Sequence, residues 1–176
     1  MRPTTRAVLT PLALGMLLAA CTSRGGRVDR GMILPPGAEL IALEEHQMFL
    51  MAIPVESPDP QFPDVDLRSG EAVVICARFV VTEHGRVTNV ETFDDMAGCE
   101  PGASARGAPF SESVRLALQQ WTFFGAATCR FLVSEKECRA GEAEVVAVPI
   151  RLAYRFEFSA GTGRRGSVSV RDLGGG

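Results

Sequence analysis

The clearest pattern lies near the end of the chain. Val146, Val148, Ile150, Leu152, Tyr154, Phe156 and Phe158 alternate with Ala147, Pro149, Arg151, Ala153, Arg155 and Glu157. A period of two places the first set on one face of a strand and the second on the other, so one face should be buried and the other wet. Pro149 has no N–H for a ladder and is expected at an edge, a bulge or the start of regular pairing. Upstream, "EAVVICARFVV" (71–81) is rich in β-branched and aromatic residues, "EHGR" offers a turn in which Gly85 can take a positive φ, and "VTNVETF" follows. Together they predict a β-hairpin. Between hairpin and last strand the period changes. Val114, Ala117, Leu118 and Trp121 fall at i, i+3, i+4 and i+7, which predicts a helix capped by Ser111 and running to about Trp121. Trp121, Phe123 and Phe124 are expected to fill core between helix and sheet.

The first half of the chain is less regular. Residues 7–20 form an uncharged apolar run behind Arg2 and Arg6, the layout of a secretory signal. The run is too short for a membrane span, which needs about 20 residues. It ends in Leu18-Ala19-Ala20-Cys21, which resembles the bacterial lipobox and marks Cys21 as the residue to be acylated. Thr22 follows where an aspartate would direct retention at the inner membrane, so the resemblance implies the periplasmic side of the outer membrane. Residues 22–37 are basic, Gly-rich and closed by a Pro pair, as a solvated tether would be. Residues 39–53 are read as a short ordered arm, and 54–70, with four prolines, as extended or turning chain. The expected organisation is a signal peptide at 1–20, tether and N-terminal arm at 21–57, one folded domain at 58–158 and a flexible tail at 159–176.

Charge and composition narrow the function classes. Loss of residues 1–20 removes two arginines and no acid from a chain whose formal net charge is already −3, so no nucleic-acid partner is expected. At 46% hydrophobic residues overall, the chain is globular, and its mature part is large enough for one modest core. Besides Cys21 there are four cysteines, Cys76, Cys99, Cys129 and Cys138, an even number suited to pairing in an oxidising compartment. Four cysteines allow three connectivities. The favoured one joins Cys129 to Cys138 within one loop and Cys76 to Cys99 across the hairpin, with the other two left open. There is no Cys-x-x-Cys or paired-His spacing, so no metal is expected, nor any other cofactor or small-molecule substrate. Asp94, Asp95 and Glu100 could be imagined as acid-base carboxylates, but such a pair needs a pocket to separate its pKa values, and they fall in a surface loop. "GTGRRG" (161–166) opens no helix, which gives a phosphate site little support.

The order strand, turn, strand, helix, strand resembles a known family. "VICARFVVTEHGRVTNVETF", "FSESVRLALQQWTFFGA" and "EVVAVPIRLAYRFEF" are similar to the three blocks of the TonB C-terminal domain, and "PQFP" (60–63) to its proline-rich entry. The resemblance covers residues 58–158 and carries no catalytic signature. It implies an α+β fold, a small antiparallel sheet with one packed helix in the order β-β-α-β, in a noncatalytic domain that binds or scaffolds another envelope protein. It further implies a runner-up, an accessory of TonB-dependent transport. There a receptor segment would pair with the last strand at 145–158, which puts Val148, Ile150, Arg151, Leu152 and Arg155 forward as partner-binding residues. Three features depart from the family: the apolar segment ends in a lipobox, Gly125 stands where the helix exit usually has a proline, and the cysteines lie in lengthened loops. A third class, an envelope hydrolase, would need activity lost when Asp94 or Asp95 becomes alanine.

Overall fold

A computed structural model describes residues 26–34, 41–68 and 70–160. Along them run β1 (Gly26–Ile33), β2 (Gln47–Leu50), β3 (Ile53–Glu56), β4 (Ala72–Val81), β5 (Val87–Phe93), α1 (Ala108–Leu118), β6 (Thr122–Phe124), β7 (Ala126–Arg130), α2 (Lys136–Ala140), β8 (Glu144–Val148) and β9 (Ile150–Ala160). The strands form three antiparallel sheets, ordered β1-β9-β4-β5, β2-β7-β8 and β3-β6. This corrects the α+β expectation of a small sheet with one helix. Among the described residues the protein is mostly β, because six strands outside the hairpin and β9 also pair and helix is confined to two short segments.

The β4–β5 hairpin forms where its pattern placed it. Gly85 turns it with φ +73°, and Gly85 N–H donates to Thr82 O at 2.9 Å. Gly85 is required a second time, because a Cβ there would lie 1.9 Å from Phe123 O, while Phe123 N–H donates to Gly85 O at 2.8 Å. That contact ties the hairpin tip to β6. On one face of the four-stranded sheet, Val73, Ile75, Ala77, Phe79 and Val81 of β4 join Leu152, Tyr154, Phe156 and Phe158 of β9. Phe110, Val114 and Leu118 of α1, with Trp121, Phe123 and Ala126, cover them. The opposite face carries a smaller cluster of Cys76, Phe93 and Ala153 beside Cys99 and Met96. With both faces covered, β4 is the strand most completely withdrawn from water.

Four local expectations change. The helix begins at Ala108 and not at Ser111. Its start is fixed by Ser104, whose Oγ accepts from Gly107 N–H at 2.8 Å and whose carbonyl accepts from Ala108 N–H, with Pro109 in the first turn. It ends at Leu118, and Trp121 follows as a buried residue just beyond it. Trp121 and Phe123 are core residues as expected, whereas Phe124 is 69% exposed, because strand alternation within β6 turns it outward. Pro149 divides the last strand in two. β8 pairs with β7, and β9 passes into the large sheet, so the missing N–H falls at the switch between sheets.

The folded unit also begins earlier than residue 58. Residues placed in the tether and arm form β1, β2 and β3, each paired in a sheet. Pro54 is tolerated in β3 because that strand has a neighbour on one side only. The proline-rich stretch after it packs against the core: Phe62 meets Phe110 and Phe158 edge-on, and Trp121 Nε1 donates to Pro58 O at 2.9 Å. Cysteine pairing follows the favoured connectivity, Cys76–Cys99 and Cys129–Cys138. The lipobox with Cys21, the "GTGRRG" segment and the tail beyond Ala160 lie outside the described residues.

Candidate interaction surface

The surface to examine is the β9 edge that the sequence offered as a partner-binding strand. One side of β9 is paired along its length with β4, from Ala72 opposite Ser159 to Val81 opposite Ile150. The other side is occupied by β1, in unbroken antiparallel register from Gly26 opposite Ala160 to Ile33 opposite Ala153. The last strand is therefore central in its sheet and not an open edge. The β1 ladder stops at Ala153, leaving Ile150, Arg151 and Leu152 beyond its end.

The five sequence-predicted residues are not gathered on one surface. Val148 belongs to β8 and, like Ile150, is half-buried against the main core. The Leu152 side chain is 5% exposed and points into that core, so it contributes backbone alone to any edge contact. Arg151 and Arg155 project from the opposite, wet face. Arg155 forms an ion pair with Glu157 at 3.0 Å and lies opposite Gly31. Arg151 borders a shallow depression with Arg78, Val80, Asn89 and Glu91, in which Arg78 Nε donates to Glu91 at 3.0 Å. These paired charges keep the outer face soluble.

Sequence reasoning missed Arg30, which β1 directs toward the core side of the sheet. Its guanidinium lies over the Trp121 ring, 4.8 Å from the ring centre, and forms an ion pair with Asp59 at 3.3 Å. Nη1 also donates to Ser57 O, and Nη2 to Ser57 Oγ at 3.1 Å. The cradle joins a strand, a helix exit and the proline-rich segment, three stretches far apart in the chain. Val28, Arg30 and Met32 do share one strand face, but one charge among two apolar residues does not announce a site. Close by, burial pushes the Tyr154 phenol above its ordinary pKa, with the Arg30 charge acting in the opposite direction.

A second surface lies on the loop between β7 and α2. Leu132 and Val133 are 86% and 85% exposed at the tip of the loop before α2. The tip is fixed in shape: Glu137 accepts from the N–H groups of Leu132, Val133 and Ser134, each at 2.9 Å, and Cys138 next to it is bonded to Cys129. Those donors, Leu132 first, hold the Glu137 carboxyl below the usual carboxylate range. Asp94 and Asp95 are exposed, and Glu100 is partly exposed in the loop that carries Cys99. Among the described residues no three of His, Cys, Asp and Glu cluster as metal ligands would, and no helix is long and apolar enough to cross a membrane. No family model matches the chain, and no curated protein matches it as a relative.

Proposed function

We propose that the chain is a lipoprotein anchored by Cys21 to the periplasmic side of the outer membrane, and that its folded domain is a noncatalytic module that binds or scaffolds another envelope protein. The observation that carries this reading is the pairing of Cys76 with Cys99 and of Cys129 with Cys138. Two structural disulfides suit an oxidising compartment, and they leave Cys21 as the one cysteine outside the pairs. Acyl chains contribute about 0.8 kcal/mol per buried methylene, so a multiply acylated Cys21 would hold the mature chain firmly on a membrane. The charges near β9, Arg78 with Glu91 and Arg155 with Glu157, are engaged in ion pairs on an exposed face, an arrangement that suits a binding or scaffold surface.

The deciding measurement is the intact mass of the membrane-extracted protein before and after reduction, with identification of the N-terminal peptide. The expected result is a chain beginning at acylated Cys21 that gains four protons on reduction. A chain retaining Met1 with an unmodified Cys21 thiol would overturn the lipoprotein reading.

A second reading, an accessory of TonB-dependent transport, is favoured by one arrangement. The first two blocks that carry the TonB resemblance supply β4–β5 and α1, the third runs from β8 into β9, and β9 joins β4 under α1 and extends past β1 at Ile150, Arg151 and Leu152. A photocrosslinking residue at Arg151 tests it in cells. Capture of an outer-membrane receptor supports this reading, and capture of other envelope proteins alone leaves the general binding module.

A further inference from the structure

β1 differs from every other strand of the large sheet in how it is held. It has eight residues in register with β9, yet none of its side chains is fully buried, whereas β4 and β9 both carry buried ones at alternate positions. Two of its eight residues are glycines. At Gly31 a Cβ would meet nothing within 4 Å, so this position contributes backbone alone. On the outer face Asp29 stands directly opposite Glu157, a like-charge cross-strand pair that opposes the ladder, although each acid also has an arginine neighbour, Arg27 and Arg155. Attachment therefore rests on ladder hydrogen bonds, which any extended peptide can supply, on the partial packing of Val28 and Ile33 against the two apolar clusters, and on the Arg30 cradle, which asks for a particular side chain.

We infer that β1 is a resident, exchangeable occupant of the β9 edge, and that Trp121, Asp59 and Ser57 form a subsite for the cationic side chain of a partner strand that replaces it. The inference rests on the proposed binding function and names the chemistry of the partner. It is an extended segment of another envelope protein with arginine flanked two positions away on each side by an aliphatic residue or methionine, the pattern of Val28, Arg30 and Met32. Arginine fits the subsite better than lysine, because its planar group can lie on the indole while its several N–H groups reach Asp59 and Ser57 together. Place in the molecule supports a partner near the membrane. Only residues 22–25 separate Cys21 from β1, so Gly26 stands within about 17 Å of the acylated residue when the chain is fully extended. A segment emerging from an outer-membrane protein is within reach of the same edge.

The test uses the purified mature protein in detergent and a fluorescent peptide of residues 24–35 as the probe. Arg30→Ala in the protein weakens the resident strand while the peptide keeps its arginine. The peptide is expected to bind the variant about tenfold more tightly than wild type. A peptide with alanine in place of its Arg30 should lose about that factor on the same variant. A Gly31→Cys/Arg155→Cys protein, oxidised to lock β1 to β9, should not bind the peptide. Equal binding to wild type, variant and locked protein overturns the exchangeable strand, and equal binding of both peptides overturns the cationic subsite. Wild-type protein that is dimeric by light scattering, and dissociates as the peptide binds, would make a second copy the occupant and overturn assignment to a different partner. If the Arg30→Ala chain does not fold, hydrogen exchange on wild type decides. Amides of β1 are expected to exchange at least about a hundredfold faster than those of β4, and equal protection overturns the proposal. Peptide binding makes no use of the lipid, so its failure leaves the lipoprotein reading to the mass measurement.

Discussion

At the scale of single residues, Gly85 shows how one position serves two constraints. The hairpin needs a positive φ there, and β6 needs a backbone with no side chain between Gly85 and Phe123. Gly85→Ala would violate both, one through strain in the left-handed region and the other through a backbone clash that no rotamer can relieve. The expected loss is about 2 to 4 kcal/mol of unfolding free energy, measured by urea denaturation. A loss below about 0.5 kcal/mol would mean that the tip and β6 do not meet in solution. Half of this constraint was legible in advance, because "EHGR" between two apolar runs marks a turn by itself. The contact with Phe123 was not legible, because it depends on where the chain goes 38 residues later. Arg30 was hidden for the same reason: its partners Ser57, Asp59 and Trp121 come from two distant stretches.

At the scale of elements, the parts read correctly are those with enough residues for a period to emerge. The β4–β5 hairpin, the buried stripe of α1 and the alternation of β9 each repeat an apolar position at least three times. β2, β3, β6 and β7 have three to five residues each, too few for a period to stand out from chance, and β8 was legible only as the start of the last strand. They hold their places by pairing with partners remote in sequence, and the mostly β character was lost with them. β1 is longer, but glycines and charges mask its alternation. α2 and the loop before it depend on a side chain instead, the Glu137 carboxylate that gathers three backbone N–H groups. Because the folded pKa of Glu137 is lowered, its contribution is present above the ordinary carboxylate range and lost as pH falls through the lowered value. Thermal melts of wild type and Glu137→Gln should therefore differ at neutral pH and converge as pH falls below the ordinary carboxylate range, with faster exchange of the Leu132 and Ser134 amides in the variant at neutral pH. A difference that does not depend on pH would sink this account of the loop.

At the scale of the whole molecule, the two disulfides brace different layers and should not be equivalent. Cys76 is fully buried in the central strand β4, and its bond to Cys99 closes a 23-residue separation that ties the loop after β5 to the outer face of the large sheet. Cys129 and Cys138 are 9 residues apart and fasten α2 to β7 in the three-stranded sheet. Chain entropy alone assigns about 3.5 kcal/mol to the first and about 2.5 to the second. Burial does not separate the two pairs further: Cys76, Cys129 and Cys138 are all buried, so both double replacements leave a cavity and the difference rests on loop length. The pair Cys76→Ala/Cys99→Ala should therefore lower the urea midpoint more than Cys129→Ala/Cys138→Ala. The sheets share one core through Phe123, Ala126 and the β4 face, so Trp121 fluorescence and far-ultraviolet circular dichroism should report a single transition in wild type. Loss of the Cys129–Cys138 bond leaves that core intact, and the two signals are expected to stay coincident. If they separate, the β2-β7-β8 sheet unfolds on its own, and the disulfide is what joins it to the rest.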